Sequence, residues 1–325
     1  MRVAVLGAGG WGKNHVRVFC ELLGNQNVIV CDPDEDRREA VRESHPNVLL
    51  FEEPVFERVD AVVIATPVAT HYALAREALS EGKHVLVEKP MALASQQAEE
   101  LMALAEETER ILMVDHLLEY HPAVQELKRL IKDGHFGKLL HLSSQRLNLG
   151  VIRTEENALW SLASHDISVM LYLLDEEPEE VYAKGQAFLQ SGVEDVACLV
   201  LRFPSGVLGH VHVSWLDPVK TRKLNVVGER RMAVYDDMAE EKLILFNHRV
   251  ERVEPGFCVH RAEAQAVPIR SVEPLRVVAE TFLRSVETGT PPPSDGCDGL
   301  RVVRVLEQAQ RAIEQRRPLS AERAP

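Results

Sequence analysis

A glycine-rich turn near the N-terminus constrains this chain more than any other segment. The run Gly7-Ala8-Gly9-Gly10-Trp11-Gly12 follows a short apolar strand pattern at residues 2–6 and opens a helical pattern that continues to Leu23. Its GxGxxG spacing has a physical meaning: the first glycine allows a tight turn, the second lets a pyrophosphate approach the backbone, and the third allows the helix to pack closely on the strand. The segment therefore predicts a dinucleotide site, with the helix N-terminus facing the anion.

Strand and helix patterns alternate after this turn. Further apolar runs occur at residues 27–32, 60–66, 84–88 and 110–116, with helical patterns between them. Continuous apolar strands separated by helices are typical of a parallel sheet that is covered on both faces. We therefore predict an α/β protein whose N-terminal Rossmann domain spans residues 1–119.

The pattern changes from residue 120 onward. Helical patterns lie at residues 122–134, 164–174, 274–289 and 299–315, and long strand patterns at 137–148, 180–189, 195–216, 221–237 and 242–247. The turn at 204–206 predicts a hairpin. We expect residues 120–325 to form an α+β domain for substrate binding and oligomerisation, built on a large, mostly antiparallel, open-faced sheet. The segment GHVHVSWL at 209–216 is expected to place apolar residues on the open face, which predicts a homodimer or homotetramer.

Charge and composition exclude several classes of partner. The chain of 325 residues carries a net charge of −13, which disfavours nucleic acid and anionic membrane surfaces. No apolar run approaches the about 20 residues of a membrane-spanning helix, and no signal peptide precedes the first strand, so we expect a cytoplasmic protein. The five cysteines are scattered without a CxxC pair, which predicts neither a disulfide framework nor a metal site.

An acidic residue at the end of the second strand bears on the choice of dinucleotide. Asp32 lies 20 residues after Gly12. A carboxylate at this point hydrogen-bonds the ribose hydroxyls of NAD and repels a 2′-phosphate. The neighbouring Arg37 and Arg38 keep NADP open as an alternative, because arginine can accommodate that phosphate.

Several motifs in order resemble the Gfo/Idh/MocA family of dehydrogenases, which includes glucose–fructose oxidoreductase and inositol dehydrogenase. They are GAGGWG at 7–12, ATPVATH at 65–71, EKP at 88–90, SHDIS at 164–168 and the stretch 273–309. The resemblance covers nearly the whole chain. It implies a dinucleotide-binding domain followed by an open-faced α/β domain. It also implies that Thr66, Pro67 and His71 line the nicotinamide side of the cofactor. The Lys–Pro bond of this motif is often cis in the family, so a cis Lys89–Pro90 bond is expected.

The EKP motif places a lysine directly after a buried strand. Ligands of such folds bind at the carboxyl edge of the sheet, so Lys89 is expected to project into the substrate cleft. Oxidation of a sugar alcohol requires removal of the hydroxyl proton while hydride leaves the carbon. A lysine whose pKa is lowered by desolvation and nearby positive charge can take that proton or return it. Glu88 is expected either to orient the ammonium group or to contact the cofactor.

The SHDIS segment predicts a second catalytic residue. Helical spacing places Ser161, His165, Ser168 and Tyr172 on one polar stripe of an otherwise apolar helix, and His165 can hydrogen-bond the reacting hydroxyl or relay its proton. A histidine at the helix start, with Asp166 favouring the dipole, is the structural alternative. The resemblance implies Asp at the positions of Ser161 and Ser168 in inositol-dehydrogenase-like members of the family. The two serines of this chain count against a simple polyol substrate.

Two further blocks, at residues 117–128 and 146–168, resemble the branch of the family that oxidises the 3-hydroxyl of UDP-N-acetylglucosamine or its uronate. A diphosphate needs cationic or amide donors in a protein of this net charge. The candidate substrate-binding residues are His116, Tyr120, Arg146, Asn148, Arg153, Trp160, Ser161 and His165.

Other functions stay open at this stage. The substrate could be a free sugar or a polyol such as glucose or inositol. A glycosidase that uses tightly held NAD for transient oxidation is a further alternative. A non-catalytic NAD-binding regulator belongs to another class, but it would not need the proton-transfer pair Lys89 and His165.

Overall fold

The computed structural model describes residues 1–315, which form two compact units. The first unit comprises Met1–Tyr120 and Val272–Arg304, and the second comprises His121–Ser271 and the described residues from Val305 to Gln315. The last ten residues of the predicted domain 120–325 lie outside the described residues. The functional division of the chain into a cofactor domain and a substrate domain stays a prediction.

The first unit is built on a parallel sheet. Its strands are β1 (Val3–Leu6), β2 (Val28–Cys31), β3 (Leu49–Phe51), β4 (Ala61–Ile64), β5 (His84–Val87) and β6 (Leu112–Val114), in the spatial order β3-β2-β1-β4-β5-β6. Every residue of β1, β2 and β4 is buried, as expected for strands covered on both faces. The strand order reverses between β1 and β4, and such sheets bind ligands at this point, outside the carboxyl ends of the strands.

Helices from both ends of the chain complete the first unit. They are α1 (Gly12–Leu23), α2 (Glu35–Ser44), α3 (His71–Ser80), α4 (Ser95–Glu107), α7 (Pro274–Thr288) and the first part of α8 (Gly296–Gln315). The buried face of α7 joins the hydrophobic core beside α1, and the rings of Phe19 and Phe282 meet edge to face at 6.5 Å. The core of the first unit therefore contains residues from both ends of the sequence.

The second unit carries a larger, mixed sheet. Its strands are β7 (Leu139–Leu149), β8 (Glu180–Gln186), β9 (Val196–Arg202), β10 (Leu208–Ser214), β11 (Leu216–Gly228), β12 (Met232–Asp236), β13 (Leu243–Phe246) and β16 (Ala264–Ala266). Their order is β16-β13-β12-β11-β7-β10-β9-β8, and all pairs are antiparallel except β7 with β10. The helices are α5 (Pro122–Lys132) and α6 (Ser164–Leu174), and a hairpin is formed by β14 (Arg249–Val253) and β15 (Gly256–His260). The predicted fold class is confirmed.

The argument that the segment 209–216 supplies an apolar outer face is wrong. Val211, Val213 and Trp215 are buried, whereas His210 is exposed and His212 half-buried. Because side chains alternate across a strand, these three large apolar residues all point to the buried face of the sheet. The predicted homo-oligomer loses this support and stays a prediction. Among residues 1–315, no helix is both long enough and apolar enough to cross a bilayer.

Candidate active site

The glycine turn has the geometry that its spacing predicts. Gly7 has φ +89°, and a Cβ at this position would lie 2.6 Å from the carbonyl oxygen of Ala65. A Cβ at Gly12 would lie only 1.9 Å from the carbonyl oxygen of Gly7. Both contacts are far closer than a carbon atom allows, so the tight turn against β4 and the start of α1 require glycine.

Open space remains where a pyrophosphate would approach. A Cβ at Gly9 would meet only Arg37 Nη1, at 3.7 Å, and one at Gly10 would meet nothing within 4 Å. Helix α1 has no acidic residue in its first turn and no side-chain cap from Trp11, which is 44% exposed. No side chain therefore competes with an anion at the start of this helix, and these residues fit the predicted dinucleotide.

Asp32 connects the end of β2 to this turn. The Asp32 carboxylate is buried and accepts hydrogen bonds from the backbone N–H of Ala8 at 2.7 Å and of Asp34 at 2.9 Å. Arg37 Nη1 lies 3.6 Å from the same carboxylate. The carboxylate is thus fixed beside the glycine turn, at the place where the ribose of a bound dinucleotide is expected.

A buried histidine joins the loop after β4 to the turn after β5. His71 Nδ1 lies 2.9 Å from the carbonyl oxygen of Pro90, and Nε2 lies 2.9 Å from the carbonyl oxygen of Thr66. Thr70 Oγ1 lies 2.7 Å from Thr66 Oγ1 and donates to the carbonyl oxygen of Pro67 at 2.8 Å. His71 is thus placed to hold two loops together at the carboxyl edge of the sheet.

Lys89 lies on a turn, and the residue on each side of it is hydrogen-bonded to a buried histidine. The Lys89 side chain is half-buried, and the Lys89–Pro90 peptide is cis, as the resemblance implies. Glu88 Oε1 lies 3.0 Å from His15 Nε2, and Pro90 is bonded to His71. The turn is therefore anchored on both sides of the lysine.

His15 also meets a second carboxylate. Its Nε2 lies 3.5 Å from Asp115 Oδ2, and His15, Glu88 and Asp115 are all buried. Burial, together with the charge of Glu88, raises the pKa of Asp115 to about 7. Burial opposes the charged forms of the other two, but their mutual hydrogen bond raises the pKa of His15 and lowers that of Glu88. His15 and Asp115 escaped the sequence analysis, although His15 lies three residues after Gly12 and Asp115 directly follows β6.

The residues after β6 form a second buried cluster. His116 Nδ1 lies 2.6 Å from Asp298 Oδ2 and 3.3 Å from Glu119 Oε1, and the hydroxyl group of Tyr120 lies 2.9 Å from Ser294 Oγ. Burial alone would lower the pKa of His116, but its hydrogen bond with Asp298 and the nearby carboxylate of Glu119 raise that pKa to about 10. These contacts hold the start of α8 to the sheet. The assignment of His116 and Tyr120 to a substrate site stays a prediction.

His165 is partly exposed, whereas its neighbours in the first half of α6 are buried. Residues 163–171 are otherwise buried, including Ser168, and a π-helical turn at Leu159–Ala163 precedes the helix and buries Ser161. Only His165 and Tyr172 of the predicted polar stripe are therefore partly exposed. Asp166 accepts hydrogen bonds from Ser144 and Arg146, so it serves more than the helix dipole.

The other candidate substrate residues lie around this helix. Arg146 donates to Asp166 from Nε at 2.7 Å, Arg153 pairs with Glu156 at 2.7 Å, and Asn148 is half-buried. The buried Trp160 donates its backbone N–H to Asn157 Oδ1 at 3.1 Å. The structure thus gives Arg146 and Arg153 carboxylate partners within the second unit, and sequence reasoning found neither partner.

Comparisons with known proteins identify the protein family to which this chain belongs. A model of an oxidoreductase family with an NAD-binding Rossmann fold matches residues 1–116, and a model of the GFO/IDH/MocA C-terminal domain matches residues 124–234. The chain belongs to the Gfo/Idh/MocA family. It is an NAD-dependent oxidoreductase, a dehydrogenase that acts on CH–OH groups.

Relatives over the full length have different substrates. The chain is 28% identical to UDP-N-acetylglucosamine 3-dehydrogenase of Acidithiobacillus ferrooxidans over 97% of both chains. A solved structure of that enzyme has a TM-score of 0.84 at 26% identity, covering 97% of this chain and 98% of the other. The chain is also 25% identical to myo-inositol 2-dehydrogenase of Thermotoga maritima over 99% of both chains. The WlbA dehydrogenase of Bordetella pertussis, solved with NADH and UDP-GlcNAcA, shares the fold at a TM-score of 0.77 and 20% identity over 97% of both chains.

Proposed function

We propose that this chain oxidises the 3-hydroxyl group of a nucleotide sugar of the UDP-N-acetylglucosamine type, with NAD as hydride acceptor. The observation that carries the chemistry is the position of Lys89, half-buried on an anchored turn at the carboxyl edge of the parallel sheet. The full-length similarity to UDP-N-acetylglucosamine 3-dehydrogenase supports the substrate. Ser161 in place of the family's Asp argues in the same direction.

In this proposal each residue has a separate task. NAD supplies the hydride acceptor when it is bound beside the glycine turn. Lys89 takes the proton of the substrate hydroxyl, because loss of hydride from the carbon requires loss of that proton. His165 hydrogen-bonds the same hydroxyl group or relays its proton. Thr66, Pro67 and His71 shape the nicotinamide side of the site. Glu88 is assigned to holding the Lys89 turn through His15, rather than to contact with the cofactor.

A panel of substrates tests the proposal. NADH appearance is measured with UDP-N-acetylglucosamine, its uronate, myo-inositol and glucose, for the wild type and for Lys89→Ala. Lys83→Ala is the matched control, since Lys83 lies just before the other end of β5. We expect turnover with a UDP-sugar and a loss of about 10²–10⁴-fold in kcat for Lys89→Ala only, the usual range for a general base. Full activity of Lys89→Ala would remove the lysine from the mechanism.

Myo-inositol is the second candidate substrate. The full-length similarity to myo-inositol 2-dehydrogenase favours it. Turnover of myo-inositol with a kcat/KM above that of every UDP-sugar would replace the nucleotide sugar in the proposal, while leaving the roles of Lys89 and His165 intact.

The homo-oligomer is proposed separately. The outer face of the eight-stranded sheet carries the exposed Tyr182, Cys198 and His210, which are mostly polar. Sedimentation velocity over a range of concentrations tests it, and a monomer at micromolar concentration would contradict it.

A further inference from the structure

His15 joins three elements of the first unit. It is the fourth residue of α1, is fully buried and stacks on Phe19 with ring centroids 6.5 Å apart. Its Nε2 atom lies 3.0 Å from Glu88 Oε1 and 3.5 Å from Asp115 Oδ2. The start of the helix that follows the glycine turn is thereby joined to the ends of β5 and β6.

Glu88 carries this contact to the lysine. One of its oxygens faces His15, and the other accepts the backbone N–H of Lys89 at 3.3 Å. The conformation of the carboxylate therefore affects the peptide that carries the lysine side chain. On the other side of Lys89, His71 holds the carbonyl group of Pro90.

The charges of the cluster make His15 hard to replace. The charged groups that face Glu88 are His15, Lys89, His71 and Asp115, and those that face Asp115 are Glu88, His15 and His116. An ionised carboxylate in the protein interior is stable only when it is paired and hydrogen-bonded. Removal of His15 leaves Glu88 as a buried carboxylate without its closest donor, so the side chain is expected to move toward solvent and to take the turn with it.

We propose that His15 is a positioning residue for proton transfer at Lys89 and acts through the carboxylate of Glu88. This inference rests on the proposed function, because it needs Lys89 to be the proton acceptor. It assigns to α1 a task besides cofactor binding: the helix that presents its N-terminus to the pyrophosphate also fixes the turn that carries the base. A displacement of about 1 Å in a reacting group is enough to lower a rate by about a hundredfold.

The test compares three variants of matched chemistry. His15→Leu removes the donor to Glu88, His15→Gln keeps an N–H donor, and His84→Gln makes the same change at the opposite end of β5, where His84 Nδ1 accepts the N–H of Ile111. The readouts are kcat, the NAD dissociation constant from fluorescence titration, and the pH dependence of kcat.

We expect His15→Leu to lower kcat by about ten- to a hundredfold. Its NAD dissociation constant should stay within about threefold of the wild-type value, and the acid limb of its pH profile should move. His15→Gln should recover most of kcat, and His84→Gln should resemble the wild type in both kcat and pH profile.

Defined outcomes would overturn the inference. One is a wild-type kcat and pH profile for His15→Leu. Another is equal loss for the Leu and Gln variants. A third is one divalent metal ion per purified chain that is lost with His15, because His15, Glu88 and Asp115 could also hold an ion. If His15→Leu does not fold, His15→Ala, which also removes the donor to Glu88, is combined with Glu88→Gln in a double-mutant cycle. Their effects on kcat should then be non-additive, and additive effects would contradict the inference.

The Lys89→Ala variant separates this inference from the proposed function. An active Lys89→Ala enzyme defeats the proposed function. An inactive Lys89→Ala enzyme together with a normal His15→Leu enzyme defeats only the role of His15.

Discussion

The guanidinium group of Arg146 and the carboxylate of Asp166 form a buried ion pair in the second unit, with Nε and Oδ2 separated by 2.7 Å. Arg146 lies on β7, and Asp166 lies in the first turn of α6, one residue after His165. The pair therefore fixes the helix next to the proposed catalytic histidine. An arginine that the sequence assigned to substrate binding has a structural partner in the same unit.

Arg146→Leu should destabilise the protein strongly. Removal of one partner of a buried ion pair leaves an uncompensated charge and typically costs about 3–5 kcal/mol. Arg153→Leu is the matched control, because Arg153 pairs with Glu156 while its own side chain is 46% exposed, and such pairs contribute about 0–1 kcal/mol. Urea denaturation followed by circular dichroism measures both. Equal, small losses in the two variants would show that Asp166 does not depend on Arg146.

Gly12→Ala should abolish tight binding of NAD. The new Cβ would lie 1.9 Å from the carbonyl oxygen of Gly7, so the turn or the start of α1 must move. Overpacking of this kind typically costs about 1–3 kcal/mol. Gly10→Ala is the control for the fold alone, because its Cβ meets no protein atom within 4 Å. The thermal unfolding midpoint should fall for Gly12→Ala and stay near the wild-type value for Gly10→Ala. Isothermal titration measures NAD binding, and unchanged NAD affinity in Gly12→Ala would refute the predicted role of the turn.

Asp32→Asn should shift the cofactor preference toward NADP. The substitution keeps an oxygen for the N–H of Ala8 but removes the charge that repels a 2′-phosphate, while Arg37 Nη1 lies only 3.6 Å away. We expect about a tenfold loss of NAD affinity and a gain for NADP, since one charged hydrogen bond contributes about 1.5–3 kcal/mol. Asp34→Asn, a change at the exposed N-cap of α2, should leave the NAD-to-NADP ratio unchanged. The measurement is kcat/KM with each dinucleotide, and a constant ratio in Asp32→Asn would contradict the assignment.

Stability should fall as the pH rises above neutral. The pKa of His116 is raised to about 10, whereas an unfolded histidine releases its proton near pH 6.5. The folded state therefore holds the extra proton between these values; this stabilisation is fully present below about pH 6.5 and is lost as the pH rises through about 10. The pKa of Glu119, raised by burial to about 7, acts in the same direction between about pH 4.5 and 7. Thermal midpoints from pH 6 to 10 should fall less steeply for His116→Gln than for the wild type, and parallel curves would exclude this cluster as the cause.

The parts of the fold with strong local signals could be predicted from the sequence. The strands at 27–32, 60–66 and 84–88 could be predicted because three or more consecutive apolar residues lie between helical patterns. Strand β3 (Leu49–Phe51) was not predicted, although residues 48–51 are all apolar; it is a three-residue strand at the edge of the sheet, and none of its residues is buried. The parallel pairing of β7 with β10 is a long-range contact that no local pattern encodes.

Those parts of the candidate site could be predicted in which a sequence motif lies at the carboxyl edge of the parallel sheet. The glycine turn, Asp32 and Lys89 each follow a strand, and parallel strands bring their carboxyl ends to one edge. The partners His15 and Asp115 could not be found in this way, since a buried histidine on a helix resembles an ordinary core residue. The amphipathic pattern of α7 likewise shows that one face is buried, but not which surface covers it.

The return of α7 to the first unit affects the order of folding during synthesis. Leu275, Val278 and Phe282 complete the same hydrophobic core as the first strands. A ribosome synthesises the chain from its N-terminus at about 5–20 residues per second, so about 250 residues are translated between α1 (Gly12–Leu23) and its last packing partner, α7 (Pro274–Thr288). A nascent chain that has emerged from the ribosome only as far as Tyr120 therefore exposes the apolar side of α1. Chaperones are expected to bind this surface until α7 has been synthesised.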